Sequence, residues 1–261
     1  MKSTILIFLI GLILGSFINV LIYRIPRKES IIRPFSRCPQ CKTPLRWYHN
    51  IPLFSYLLLR GRCAFCKESI PWHYPLVELL CPLLMVTIYH KLSTTYGYQT
   101  FLIFAFFVLL LVTISFIDLF HKEIPDILSF PLLFGGWIFS MLGINPFVMN
   151  FEESLVSSFT GMGLLFFINE LYYRYAKRDG MGMGDFKLMG GLGAFIGYKS
   201  FFNILFLASL IGLVSYAFFW VYHRKFLKRA TETDLMKTEI PFGPFLSLSA
   251  IIYLLYPQSL L

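Results

Sequence analysis

The chain has 261 residues, of which 57% are apolar, 18% aromatic and only 14% charged, too little polar surface to cover a water-soluble domain. The formal charge of +9 argues for a nucleic-acid partner only if the basic residues have no other explanation, and their placement along the chain supplies one. The composition describes an all-α polytopic membrane protein.

Crossing about 30 Å of hydrocarbon takes roughly 20 apolar residues. In chain order, such runs lie at about 4–23, 75–92, 99–117, 127–144, 155–173, 201–222 and 242–257. An eighth run, Leu188 to Tyr198, is rich in glycine and short; at 1.5 Å per residue it reaches only about 17 Å. Suppose all eight cross and both termini lie outside: every Lys and Arg then faces the inside except Lys2, Lys91 and Lys199. Without the short run, the five basic residues between 224 and 237 would move outside, against the positive-inside rule. The expectation is therefore about eight transmembrane helices, with the short one beginning within Gly182–Asp185 or tilted and thinly covered. The first run is followed by Arg24, Arg27 and Lys28 and preceded only by Lys2, which reads as a retained helix rather than a cleaved signal peptide. Its Gly11 and Gly15 form a small-xxx-small pair suited to helix packing.

The sizeable polar stretch, Arg24 to His73, carries ten Lys and Arg against Glu29 and Glu68. Orientation and anionic headgroups account for that charge without nucleic acid. Cys38-Pro39-Gln40-Cys41 and Cys63-Ala64-Phe65-Cys66 are two C-x-x-C knuckles, whose four thiolates can close a tetrahedral zinc site and staple a segment with little core of its own. The expectation is a small cytoplasmic zinc-ribbon-like loop between helices 1 and 2; a disulfide pair and unligated thiols are the alternatives. Cys81 falls inside the second apolar run and reads as a small buried hydrophobe.

Two carboxylates carry the candidate chemistry. Asp118 ends the third apolar run, and Asp185 sits in Gly182-Met183-Gly184-Asp185-Phe186-Lys187 at the start of the short one. Ionisable groups at that depth are functional candidates by default, and the topology places both on the inside face as an acid–base dyad. Gly182 and Gly184 clear space beside the carboxylate and permit non-helical backbone. The plain alternative makes each aspartate an interfacial charge beside Lys122 or Lys187. Elsewhere, Glu170 and Arg174 are spaced to pair on one helix, Asp126 is placed to cap the fourth helix, and His121 reads as a surface residue. The five histidines show no metal-ligand spacing.

These motifs, taken together, resemble type IV prepilin peptidases over nearly the whole chain. The resemblance rests on Gly15-Ser16-Phe17-Ile18-Asn19-Val20 with Arg24 and Pro26, the paired C-x-x-C knuckles, and Tyr74-Pro75-Leu76-Val77-Glu78. It continues through Asp118-Leu119 with Ile124-Pro125-Asp126, the G-x-G-D-x-K stretch, and Pro241-Phe242-Gly243-Pro244-Phe245. It implies an enzyme of the cytoplasmic (inner) membrane that cuts the short basic leader of prepilins and pseudopilins after a glycine. Asp118 and Asp185 would be its catalytic pair, as in other G-x-G-D aspartyl proteases. It further implies N-methylation of the new terminus with S-adenosylmethionine. There is no soluble dinucleotide-type fingerprint, so that cofactor would sit at the first loop and adjacent helix ends, with Asn19, Arg24 and Glu78 as candidate cofactor-binding residues. Their structural alternatives are a membrane-edge role for Arg24 and pairing of Glu78 with a basic loop residue. The implied organisation is 1–98 for the methyltransferase region and 99–261 for the aspartyl peptidase domain. A zinc-bearing scaffold has no use for the aspartates, and a transporter fits poorly with acids at one face and no inverted repeat.

Overall fold

The structure, a computed structural model, describes residues 2–148, 150–177, 180–226 and 241–256. Of the expected inside charges, Arg178, Lys228, Arg229 and Lys237 lie outside the described residues. The chain divides into two compact units, Met1–Thr113 and Ile114–Leu261. The regular elements among the described residues are helices, and their only bridges are the isolated pairs Arg37–Pro44 and Arg62–Ser69.

In the first unit, α1 (Lys2–Arg24) is followed by the polar segment with its short α2 (Phe54–Leu58), and then by α3 (His73–Ile88). α3 continues through a π-helical turn at Tyr89–Ser93 to Tyr96, and Gly97, at φ 92°, ends it. α1 lies against α3 through the expected small-residue pair. A Cβ on Gly11 would stand 2.5 Å from Pro82 Cα, and one on Gly15 would stand 3.0 Å from Glu78 Cα. Only hydrogen at those two positions lets the backbones meet this closely.

The second unit takes the end of α4 (Tyr98–His121) and adds α5 (Asp126–Met141), α6 (Phe151–Ala176), α7 (Met183–Ile196), α8 (Phe201–Phe226) and α9 (Gly243–Leu255). α7 is the short helix of the sequence reading. It begins at Met183, inside the expected window, but it is not thinly covered: every residue from Leu188 to Gly197 is buried. α5 and α6 close over it. A Cβ on Gly193 would fall 2.6 Å from the carbonyl oxygen of Ser157, and one on Gly136 of α5 would fall 2.4 Å from Ala194 Cβ. A helix sheathed in protein need not match the thickness of the lipid, so its 14 residues suffice.

Among the described residues, five helical stretches are long and apolar enough to cross a membrane: Lys2–Arg24, His73–Tyr96, Tyr98–His121, Phe151–Ala176 and Tyr198–Phe218. α5 and α9 are shorter apolar helices. All eight apolar runs are thus helical, and five of them meet the length and composition of a span.

Candidate functional site

Asp118 and Asp185 both lie in the second unit and both are buried, at 6% and 9% exposure. Asp118 stands in the last turn of α4, where its own helix opposes a negative charge. A second helix compensates. Gly243 is the first residue of α9, so its N–H has no partner within the helix, and it donates to Asp118 Oδ2 at 3.0 Å. Pro244 follows at a position where no N–H is needed. Asp185 is the third residue of α7, and its Oδ2 accepts the N–H of Gly182 at 3.2 Å, half of a capping box. Each carboxylate therefore receives a glycine amide at the positive end of a helix.

Ile124 is shared by the glycines beside them. A Cβ on Gly184 would be 2.8 Å from Ile124 Cβ, and one on Gly243 would be 3.2 Å from Ile124 Cδ1 and 2.6 Å from Asp118 Oδ2. The two glycines, one next to Asp185 and one bound to Asp118, both press onto Ile124. Gly184 leaves room for Ile124, in the segment after α4, and not for α4 itself. Gly182 has extended backbone at φ −78°, which any residue adopts, and its role is the amide given to Asp185.

The cations expected beside the aspartates are elsewhere. Lys187 pairs with Asp126 and lies over the ring of Phe130, while Lys122 is exposed. Asp126 consequently does not cap α5: Pro125 holds the cap position, without a side-chain bond, and the Asp126 carboxylate is turned to Lys187. Neither Asp118 nor Asp185 has an ion pair among the described residues. Glu170 and Arg174 do pair, at 3.0 Å, and His121 is exposed.

In the first unit the two knuckles fold alike. The N–H of Cys38 donates to Thr43 O and that of Lys42 to Cys38 O; likewise Cys63 donates to Glu68 O and Lys67 to Cys63 O. Lys42 and Lys67 occupy matching left-handed positions at φ 59° and 61°. All four Sγ atoms of Cys38, Cys41, Cys63 and Cys66 lie within 4.8 Å of one another, with Cys38 and Cys66 at 3.9 Å, and all are free thiols. Zinc–sulfur bonds of about 2.3 Å give a tetrahedron with edges of about 3.8 Å, so the cluster fits zinc. The side chain and backbone of Thr43 hold the Cys41 thiol down to about 6, whereas burial and the neighbouring thiols push Cys66 up to about 11. Cys81 is buried in α3.

Between the knuckles and the ends of α1 and α3 is a cavity of about 250 Å³. Ser16, Asn19, Tyr74 and Glu78 form its helical side, and Cys38, His49 and Cys63 are on its loop side. Asn19 is buried; its Nδ2 donates to Tyr74 O at 3.0 Å, and its Oδ1 has no partner. Glu78 is bound not to a basic loop residue, as its structural alternative required, but to the amide of Leu53 at 2.8 Å. Arg24 also borders the cavity, yet its guanidinium is committed to Ser30 O at 2.8 Å and Pro34 O at 2.7 Å, where it ties the polar segment to α1. The three residues share one cavity, and Arg24 has the most structural role of them.

Two family descriptions match the chain: the bacterial peptidase A24 N-terminal domain over residues 9–92 and the type IV leader peptidase family over residues 105–217. The prepilin leader peptidase/N-methyltransferase of Aeromonas hydrophila is 34% identical, with 98% of this chain and 91% of that protein aligned. The chain belongs to the type IV leader peptidase family. Proteins of the same description from Neisseria gonorrhoeae, at 34% identity over 79% of this chain and 78% of theirs, and Myxococcus xanthus, at 37% over 80% and 60%, are further relatives. No solved structure matches. With family membership and its long apolar helices, this leader peptidase family member is a multi-pass membrane protein.

The contact between Gly243 and Asp118 was not foreseen from sequence, although Pro241-Phe242-Gly243-Pro244 stood out as the opening of the last helix. Its signal was the glycine at the first helical position before a proline, where a free amide must find an acceptor. Ile124 and Ser16 lay inside matched motifs without a role assigned to them, and His49 carried no signal.

Proposed function

We propose that this protein removes the leader peptide from type IV prepilins or pseudopilins with Asp118 and Asp185 as its catalytic pair, and methylates the new amino terminus in the cavity of its first unit. The observation that carries the peptidase reading is the pair of buried carboxylates, each held by a glycine amide and neither paired with a cation among the described residues. Like charges at close range in a desolvated site cannot both ionise cheaply, so the pair shares one proton. The ionised aspartate takes a proton from water as it attacks the scissile carbonyl; the protonated one donates to the carbonyl oxygen and then assists the departing amine. Helix ends and amides fix both carboxylates before substrate arrives, which lowers the reorganisation needed at the transition state.

The cysteine cluster holds a structural zinc ion that shapes the roof of the cavity. S-adenosylmethionine, when bound, supplies the methyl group. Asn19 and Glu78 present acceptors to that space, and Arg24 keeps the loop above it in place. The distribution of Lys and Arg supports eight crossings, with the aspartates and the cysteine loop facing the cytoplasm. Residues 1–98 carry methyl transfer and 99–261 carry proteolysis.

The test is to incubate the full-length protein in detergent with a synthetic prepilin and S-adenosylmethionine and weigh the products. Loss of the leader and gain of one methyl group are expected. An intact prepilin would sink the peptidase reading, and a trimmed but unmethylated product would sink the transferase reading alone.

A further inference from the structure

We infer that the cavity of the first unit contains a binding site for an α-ammonium group, built from Glu78 and Asn19. This inference rests on the reading of that cavity as the methyl-transfer site and says which charge it recognises.

The first 113 residues are strongly basic, with twelve Lys and Arg but only three carboxylates: Glu29, Glu68 and Glu78. All three carboxylates border this one cavity. Only two of the twelve cations border it, Arg24 and Arg37, and neither offers the cavity a free positive charge. Arg24 is spent on the carbonyls of Ser30 and Pro34, and Arg37 faces Glu29 at 3.8 Å. Glu68 and Glu78 therefore have no ion-pair partner among the described residues. Such a site attracts a positive ligand.

A second observation gives the ligand its hydrogens. Asn19 is 4% exposed and its Oδ1 is buried without a partner. Its orientation is fixed, since only the Nδ2 end can donate to Tyr74 O. An acceptor left unpaired in a buried place is costly, and Asn19 borders the cavity. Asn19 Oδ1 and the Glu78 carboxylate are both acceptors, so what this wall lacks is a donor. A group carrying both positive charge and N–H donors satisfies it. A sulfonium has the charge without the donors, and a carboxylate has neither.

Two molecules in the reaction carry an α-ammonium: the methionine part of the cofactor and the amino terminus of the trimmed substrate. Calorimetry on the full-length protein in detergent distinguishes them. S-adenosylhomocysteine is compared with 5′-methylthioadenosine, which lacks the amino-acid part, and a trimmed pilin peptide is compared with its N-acetylated form. Glu78→Gln keeps an acceptor for Leu53 and removes the charge; the thermal midpoint checks that the fold is kept. If the cofactor is the source, the preference for S-adenosylhomocysteine falls about tenfold in Glu78→Gln. If the substrate is the source, the preference for the free over the acetylated terminus falls by a similar factor. Both preferences unchanged overturns the inference. Ala64, on the loop side of the cavity, is replaced by Trp to fill the space. Undiminished binding of all probes to Ala64→Trp would overturn the cavity reading and the inference with it; lost binding there, with both preferences intact in Glu78→Gln, would overturn the ammonium site alone.

Discussion

Gly243 donates its backbone N–H to Asp118 Oδ2 at 3.0 Å, across 125 residues of sequence, and leaves no room for a side chain of its own. A Cβ there would sit 2.6 Å from the carboxylate oxygen, well inside contact distance. Gly243→Ala should therefore displace Asp118 while the helix, which favours alanine, still forms. A displacement on the order of 1 Å costs about a hundredfold in rate. The expected result is a fall of that size in kcat for leader cleavage, with little change in KM and an unchanged thermal midpoint. A variant cleaving at full rate would show that the contact is not needed.

Removal of either carboxylate should be more severe. Asp118→Asn and Asp185→Asn each keep the hydrogen-bond acceptor that meets Gly243 or Gly182, so both variants should fold and reach the membrane. Proton transfer in both directions is lost, and cleavage should fall by about three orders of magnitude or more. A mass-spectrometric time course on a synthetic prepilin measures it, and methylation of a peptide supplied already trimmed should continue in the same preparations. Substantial cleavage by either variant would remove the dyad.

Lys187 and Asp126 test how isolated the dyad is. Lys187 lies two residues after Asp185, which made the pairing of those two the simple reading of the sequence. The helix decides otherwise: residues two apart point to different faces, and Lys187 meets Asp126 across the helix interface. The pair is partly exposed, at 31% and 56%, so its contribution to stability is below about 1 kcal/mol. Lys187→Gln and Asp126→Asn, alone and together, should shift the denaturation midpoint slightly and by non-additive amounts, and leader cleavage should stay within about threefold of the parent. A collapse of activity in Lys187→Gln would mean that the lysine serves the aspartates after all.

The helical plan was legible because hydrophobic runs of span length depend on composition alone, and the cysteine spacing named a tetrahedral site before any fold was known. What sequence could not supply is who faces whom. Glu78, a candidate cofactor residue, had a basic loop residue as its structural alternative partner, yet it accepts the amide of Leu53, a part-buried N–H at the cap of α2 that needs an acceptor. The short run of α7 looked too meagre to be covered, because length speaks of lipid. Its coverage comes from glycines on three helices, Gly136, Gly161 and Gly193, whose contacts only the packed structure reveals.

The cysteine cluster and the cavity should respond together. Cys38 and Cys63 belong to both, so loss of the metal unties the roof over Asn19 and Glu78. Purified protein is expected to carry about one zinc per chain by elemental analysis, the stoichiometry of a four-thiolate site. Cys38→Ser should lose the metal, since three thiolates and a hydroxyl hold zinc poorly. Binding of S-adenosylhomocysteine should then weaken about tenfold or more, because a small domain stapled by metal loses its shape without it. The Asp118–Gly243 contact lies in the other unit, and proteolysis of a synthetic prepilin in the same sample reports on it separately. Protein purified without metal, or a Cys38→Ser variant that binds the nucleoside as tightly as the parent, would show that the cysteines do not shape the cavity.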